Sequence, residues 1–203
     1  RYEKLSRISG MSNLSFIYFT EVVLGYTWSQ FHKDDMNIVS DSSNRYLLLI
    51  IPRGHYKTTM VSKCYVIWKL WKEKNFEIML TSSSLEQSSS VIQEVQKMIA
   101  ENEFLLPLVP EFREDIWNKS QLNTTNGNSY YIKPFNPTAR GKHVNVLVCD
   151  DILREENITQ EMIKEYFWSI FFPEVQAKEG QLIVIGTPMT ATDLFTQIEN
   201  PEP

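Results

Sequence analysis

The sequence predicts a three-layer α/β domain on a mostly parallel sheet. Three observations carry that expectation. Continuous apolar runs of strand length stand at Tyr46 to Ile51, Phe76 to Leu80, Val144 to Cys149 and Leu182 to Ile185. Segments of helical period lie between several of them, and one strong hairpin signal, Asn126-Gly127, interrupts the series. Runs that are apolar at every position mark strands covered on both faces, and strands alternating with helices are the pattern of a parallel sheet. A length of 203 residues suits one domain with one hydrophobic core. A chain that is 42% hydrophobic and 22% charged, with seven Gly and nine Pro, is neither collagen-like, nor of low complexity, nor wholly disordered.

Taken in order, residues 13 to 39 carry helical patterns broken near Gly25, with Phe31, Met36 and Ile38 as apolar positions of the second part. The turn-rich Ser40 to Asn44 leads into Tyr46 to Ile51, which reads as a central strand. Residues 57 to 73 read as a helix whose Met60, Cys64, Ile67, Trp68 and Trp71 make one buried stripe. Phe76 to Leu80 is a second strand. Residues 85 to 101 form a helix with Val91, Ile92, Val95, Met98 and Ile99 inward, started by Ser84 and Gln87 at the spacing of a capping box. Gln121 to Thr125 and Ser129 to Phe135 flank Asn126-Gly127 as an inserted hairpin. Val144 to Cys149 is another buried strand, residues 160 to 171 are helical, and Leu182 to Ile185 is a last strand ending at Gly186. In such sheets ligands gather beyond the carboxyl ends of the strands.

Charge narrows the function. Twenty Lys plus Arg against 25 Asp plus Glu give a net charge of −5, which excludes a protein that coats nucleic acid through bulk positive charge. Any DNA contact is expected to be local. The longest apolar runs are about six residues, against roughly 20 needed to cross a bilayer, so no membrane helix is expected. The start, RYEKLSRISG, lacks the apolar core of a secretory signal. Cys64 and Cys149 are two thiols in different contexts, which suits an intracellular, reduced protein.

Chemistry is concentrated after the strands. Pro52 to Thr59, reading PRGHYKTT, joins the first strand to the helix that follows. Phosphates need backbone N–H donors from a tight loop, a helix N-terminus and an ammonium, and this segment supplies all three. Lys57 is expected to reach the β- and γ-phosphates and the Thr58 hydroxyl to bind Mg²⁺, with Arg53, Gly54, His55, Tyr56 and Thr59 completing the nucleotide-binding loop. The pattern departs from G-x-x-x-x-G-K-[ST], because Ile51 and Tyr56 stand at the two glycine positions. VNVLVC then delivers Asp150-Asp151 to the same edge of the sheet. Asp150 is assigned to the metal and Asp151 to activation of the attacking water, with Glu155 as the alternative base. Thr187, in Gly186-Thr187-Pro188, presents a hydroxyl that can sense the γ-phosphate. Arg53 and Arg140 are candidates to stabilise charge in a phosphoryl-transfer transition state.

Together these residues resemble the ATPase domain of the large terminase subunit, the DNA-packaging motor of tailed bacteriophages. The resemblance runs from about Gln30 to Phe195. It rests on QFHKDD before the first strand, LLLIIPRGHYKTT as a deviant Walker A motif, and MLTSSSLEQSSS as a strand-Ser-helix unit. TARGKHVNVLVCDDI serves as an arginine motif leading into Walker B, and VIGTP as the coupling motif. The resemblance implies a P-loop NTPase fold of the ASCE type, with an N-terminal helical lead-in over residues 1–44 and the P-loop core over 45–203. It implies one ATPase domain, without the nuclease domain that follows it in the family. ATP and Mg²⁺ are the implied cofactors. Arg53 resembles the phosphate-sensing arginine, Arg140 the finger donated to a neighbouring subunit's ATP, Thr187 the coupling residue and Gln30 the adenine reader. Gly is usual in the family where Tyr56 stands, and Glu where Asp151 stands, so the catalytic carboxylate is Asp151 or Glu155.

The implied partners are double-stranded DNA, the portal protein, the small terminase subunit and further copies in a homo-oligomeric ring, pentameric as in the family. The work would be done in the host cell cytoplasm on the viral procapsid, with no membrane. A helicase-type nucleic-acid motor shares both Walker motifs and is the nearest rival. A nucleotide-binding regulatory or assembly module with little turnover is the other, suggested by Tyr56 and Asp151.

Overall fold

The structure is a computed structural model that describes residues 14–111, 116–136, 143–153, 159–175, 179–188 and 193–199. Among them seven strands form one sheet. They are β1 (Tyr46–Ile50), β2 (Glu77–Ser82), β3 (Trp117–Asn118), β4 (Gln121–Asn123), β5 (Ser129–Ile132), β6 (Val146–Asp150) and β7 (Gln181–Gly186). The spatial order is β1-β7-β6-β2-β5-β4-β3. The first five strands of that order run parallel, and β4 and β3 extend the sheet antiparallel. This is the expected mostly parallel sheet with its inserted hairpin, here turning at Gly127 with a φ of +83°. The short strand β3 lengthens the hairpin by a pair too brief to leave a pattern in the sequence.

Helices cover both faces. On one side lie α1 (Phe16–Val22), α2 (Gln30–Ser40), a π-helical segment Thr59–Tyr65 continued by α3 (Val66–Lys72), and α4 (Leu85–Ala100). On the other lie α5 (Gln160–Tyr166), a second π-helical segment Phe167–Phe171, α6 (Phe172–Glu174) and α7 (Leu194–Glu199). The strands sort their side chains between two apolar layers by the two-residue period. Ile78, Leu80, Val146, Val148, Ile183 and Ile185 join the first layer, while Met79, Leu147, Cys149, Leu182 and Val184 join the second. Starts are set locally: the Ser84 hydroxyl accepts the Gln87 N–H at 3.1 Å, as the capping box predicts, and Ser15 and Thr159 cap α1 and α5 in the same way.

Two expectations need correction. First, β1 is an edge strand that pairs only with β7 among the described residues, leaving Tyr46 53% and Ile50 43% exposed. Its run of apolar residues reports cover on both faces, since Leu47 and Leu49 pack in the first layer and Leu48 in the second. Cover on the faces says nothing about pairing at the edges. An apolar hollow of about 500 Å³, lined by Tyr46, Leu48, Trp168, Phe172 and Ile198 among others, borders this strand. Second, the helix after the loop is buried almost all round rather than along one stripe: Val61, Ser62, Tyr65, Val66 and Leu70 are as enclosed as Met60 and Cys64. Helices α1 and α4 cover the sides it does not turn to the sheet, with Phe16 against Tyr65 and Trp68 and Phe19 against Trp71. Of the apolar positions of α2, Met36 and Val39 face inward, while Phe31 and Ile38 are exposed.

The buried Gln181 ties the lead-in helices to the sheet. Its amide donates to the carbonyls of Val39 (3.0 Å) and Asn44 (2.9 Å), and it accepts the Tyr65 hydroxyl.

Candidate active site

Strands β1, β7 and β6 are neighbours and parallel, so their carboxyl ends meet at one edge of the sheet. Ladder-like bonds continue past the strands: the Ile51 N–H donates to Gly186 O (3.1 Å) and the Asp151 N–H to Ile185 O (2.9 Å). These bonds hold the loop after β1, the Asp150-Asp151 pair and Thr187 against one another. Gly186 is glycine for a packing reason, because a Cβ there would fall inside the contact distance of the Phe195 ring from α7.

The loop turns through two left-handed residues, Gly54 at φ +81° and Tyr56 at φ +55°. Tyr56 therefore takes the backbone conformation that glycine adopts freely, at a cost of about 1–2 kcal/mol for an L-residue. Its carbonyl then accepts the Met60 N–H at 2.8 Å and starts the helix. The Tyr56 side chain is 63% exposed and meets the His32 ring edge-on. His32 also holds the loop through a hydrogen bond between Nε2 and the His55 carbonyl (3.3 Å), with Nδ1 on Ser29 Oγ (2.7 Å). Helix α2 thus touches the loop through His32, whereas the amide of Gln30 donates to Asp34 in its own helix (2.8 Å).

Lys57 is buried. Its Nζ donates to Thr187 Oγ1 at 3.0 Å and lies 3.9 Å from Asp151 Oδ1. Thr187 Oγ1 in turn donates to the Ile51 carbonyl (3.0 Å), closing a circuit between the loop and the end of β7. Asp150 is only 1% exposed. Thr58 Oγ1 donates to its Oδ1 (3.2 Å) and Ser62 Oγ to its Oδ2 (2.6 Å). Burial raises the Asp150 pKa above the ordinary carboxylate value; the Ser62 and Thr58 hydroxyls lower it, Asp151 raises it and Lys57 lowers it. Asp151 sits beside it at φ +54°, a second strained residue at the same edge.

The donor set suits magnesium. Among the described residues no cluster of three His, Cys, Asp or Glu side chains forms a cage for a metal. One buried carboxylate beside one hydroxyl, Asp150 with Thr58, is the sparse set of oxygen ligands with which Mg²⁺ is held when phosphates and water complete its shell.

The structure therefore brings Lys57, Thr58, Asp150, Asp151 and Thr187 together. Arg53, Gly54 and His55 lie on the exposed loop beside them. Arg140 and Glu155 lie outside the described residues. Sequence reasoning misses Ser62 and His32. The signal for Ser62 is a small hydroxyl residue one helical turn beyond Thr58 in an otherwise apolar segment; His32 stands in the QFHKDD segment, but its bond to the His55 carbonyl is reached only through the fold.

No family model matches the sequence. The large terminase subunit of Enterobacteria phage T3 is 22% identical over 180 residues, which is 82% of this chain and 30% of that one. In three dimensions the chain superposes on the HK97 bacteriophage large terminase with a TM-score of 0.68 and 18% identity, covering 93% of this chain and 42% of that one. The Thermus phage P74-26 large terminase ATPase domain gives 0.63 at 16% identity, over 89% and 71% of the two chains.

The fold is that of a large-terminase ATPase domain. A large terminase of the same fold, from a thermophilic bacteriophage, has been solved with ADP (TM-score 0.56, 15% identity, 81% of this chain and 40% of that one). This terminase-like chain spans about a third of the T3 subunit's length, and less than half of the HK97 terminase.

Proposed function

We propose that the chain is an ATP hydrolase that drives double-stranded DNA into a viral procapsid. The observation that carries this reading is the meeting of Lys57 and Thr58, from the loop after β1, with Asp150 and Asp151, from the end of β6. An ammonium, a hydroxyl and two carboxylates on a strand-to-helix loop are what phosphoryl transfer needs from a protein, since its catalysis is mostly positioning and charge stabilisation.

The residues divide the work as follows. The N–H groups of Gly54 to Thr59 and the helix start behind them bind the phosphates of ATP, and Lys57 screens the β- and γ-phosphates. Thr58 and Asp150 would hold Mg²⁺, which when bound neutralises charge on the phosphate oxygens. Asp151, or Glu155, orients the attacking water and takes its proton. Lys57 rests on Thr187 in the structure. Were Lys57 to turn to a γ-phosphate, Thr187 Oγ1 would lose the Lys57 donor and keep only its bond to the Ile51 carbonyl, and that change at the end of β7, next to Gly186 and Phe195 of α7, is how the strand would sense nucleotide. Arg53 reads the phosphates from within the loop, Arg140 completes the site as a finger, and Gln30 reads the adenine; these three roles rest on the family resemblance.

As part of a packaging motor the chain would act on double-stranded DNA as a homo-oligomeric ring, pentameric in keeping with the family. Its partners would be the portal protein and the small terminase subunit, at the procapsid in the host cytoplasm. No described helix is long and apolar enough to cross a membrane.

The decisive experiment is phosphate release from ATP by the chain, compared with Lys57→Ala and Asp150→Ala. Each variant is expected to lose about 100-fold or more in rate, the scale of removing a single transition-state-stabilising group. Undiminished hydrolysis in either one removes that residue from the site.

A further inference from the structure

The proposed function uses one oxygen of Asp150, the Oδ1 that now accepts from Thr58. Its other oxygen, Oδ2, is held at 2.6 Å by the hydroxyl of Ser62, a residue with no exposed surface. Thr58 and Ser62 are four residues apart, so both hydroxyls lie on one face of the helical segment and grip the carboxylate from the same side. Ser62 is itself fixed at its other end. Its backbone carbonyl accepts the hydroxyl of Tyr130 at 3.0 Å, and Tyr130 is a fully buried residue of β5, two strands from β6 in the sheet. Ser62 falls within the π-helical segment Thr59–Tyr65, a conformation that recurs at functional sites.

From this geometry we infer that Ser62 is a positioning residue for the metal-binding carboxylate, with Tyr130 holding Ser62 in place. The inference rests on the ATPase reading above and deepens it. A carboxylate that meets a metal through one oxygen must be kept from rotating, and the Ser62 hydroxyl supplies that restraint on the opposite oxygen. Outer-shell partners of this kind set metal affinity, and losing one costs about 10- to 100-fold.

The test measures binding of a fluorescent ATP analogue to the chain, first in EDTA and then across a magnesium titration, with thermal melts as a check on folding. Ser62→Ala is expected to raise the magnesium concentration needed for half-maximal enhancement of binding by about 10-fold or more, while affinity in EDTA stays near that of the wild type. Ser62→Thr, which keeps the hydroxyl, is expected to restore the wild-type midpoint. Tyr130→Phe should move it in the same direction as Ser62→Ala by a smaller factor, and it carries the test alone if Ser62→Ala does not fold. A wild-type chain that binds no nucleotide overturns the ATPase reading and this one with it. Normal binding with an unmoved magnesium midpoint in the variants overturns this inference alone, as does a loss in EDTA as large as the loss with magnesium.

Discussion

Asp150 is the residue with most at stake between folding and function. Burial pushes its pKa above the ordinary value of 3.8 despite the two hydroxyls and Lys57. A folded value above the unfolded one means that the folded state holds the proton more tightly. The stabilising contribution is therefore complete below the unfolded pKa and is lost as pH rises through the folded one. Above the folded pKa the ionised carboxylate stands against folding. Asp150→Asn is neutral at every pH and can still bond both hydroxyls, so in magnesium-free buffer it is expected to melt above the wild type at neutral pH. The gap should close as the pH falls toward about 4. Calorimetry across that range checks it, and a gap that does not change with pH would show that the charge on Asp150 is not its source. Tyr56 and Asp151, both in the left-handed region, belong to the same pattern, in which local backbone preference yields at the place where chemistry is expected.

Among the elements, β7 and α7 meet at a close junction. A methyl group at Gly186 would meet the ring of Phe195, which is fully buried. Gly186→Ala is expected to cost about 1–3 kcal/mol, the scale of overpacking in a closed core. Urea unfolding measures this directly, and a variant as stable as the wild type would show that α7 can withdraw from the sheet. Other elements were written plainly in the sequence. The Ser84 cap, the turn at Asn126-Gly127 and the inward face of α4 all depend on neighbours within a few residues, and all are found where local rules put them. The edge position of β1 depends on what lies beside it, and the two-residue period carries no information about that.

For the molecule as a whole, the sheet separates two apolar layers, with Cys64 in one and Cys149 in the other. Burial pushes the Cys64 thiol up to about 12 and raises that of Cys149 further, so both stay protonated and unreactive in the folded state. A thiol reagent should therefore reach either one only when the structure opens. If the two layers are held by one cooperative sheet, both cysteines are expected to react at similar rates and to be accelerated together by mild denaturant. Site-resolved alkylation followed by mass spectrometry reads this. One thiol reacting far faster than the other would show that its layer opens by itself.

The class of the fold and the address of the candidate site can be read from the chain alone. Strand runs and helical periods are local properties, and a parallel sheet obliges the segments after its strands to share an edge. That is why Lys57, Asp150 and Thr187 can be assigned to one edge from the sequence. Which strand lies at the edge among the described residues, and that the helix after the loop is enclosed almost all round, follow from the packing of distant segments. The tertiary structure alone placed Ser62, Tyr130 and His32 around the site. These three are held by contacts between residues from 23 to 88 positions apart, and no short-range pattern records a contact that exists only once the chain has closed on itself.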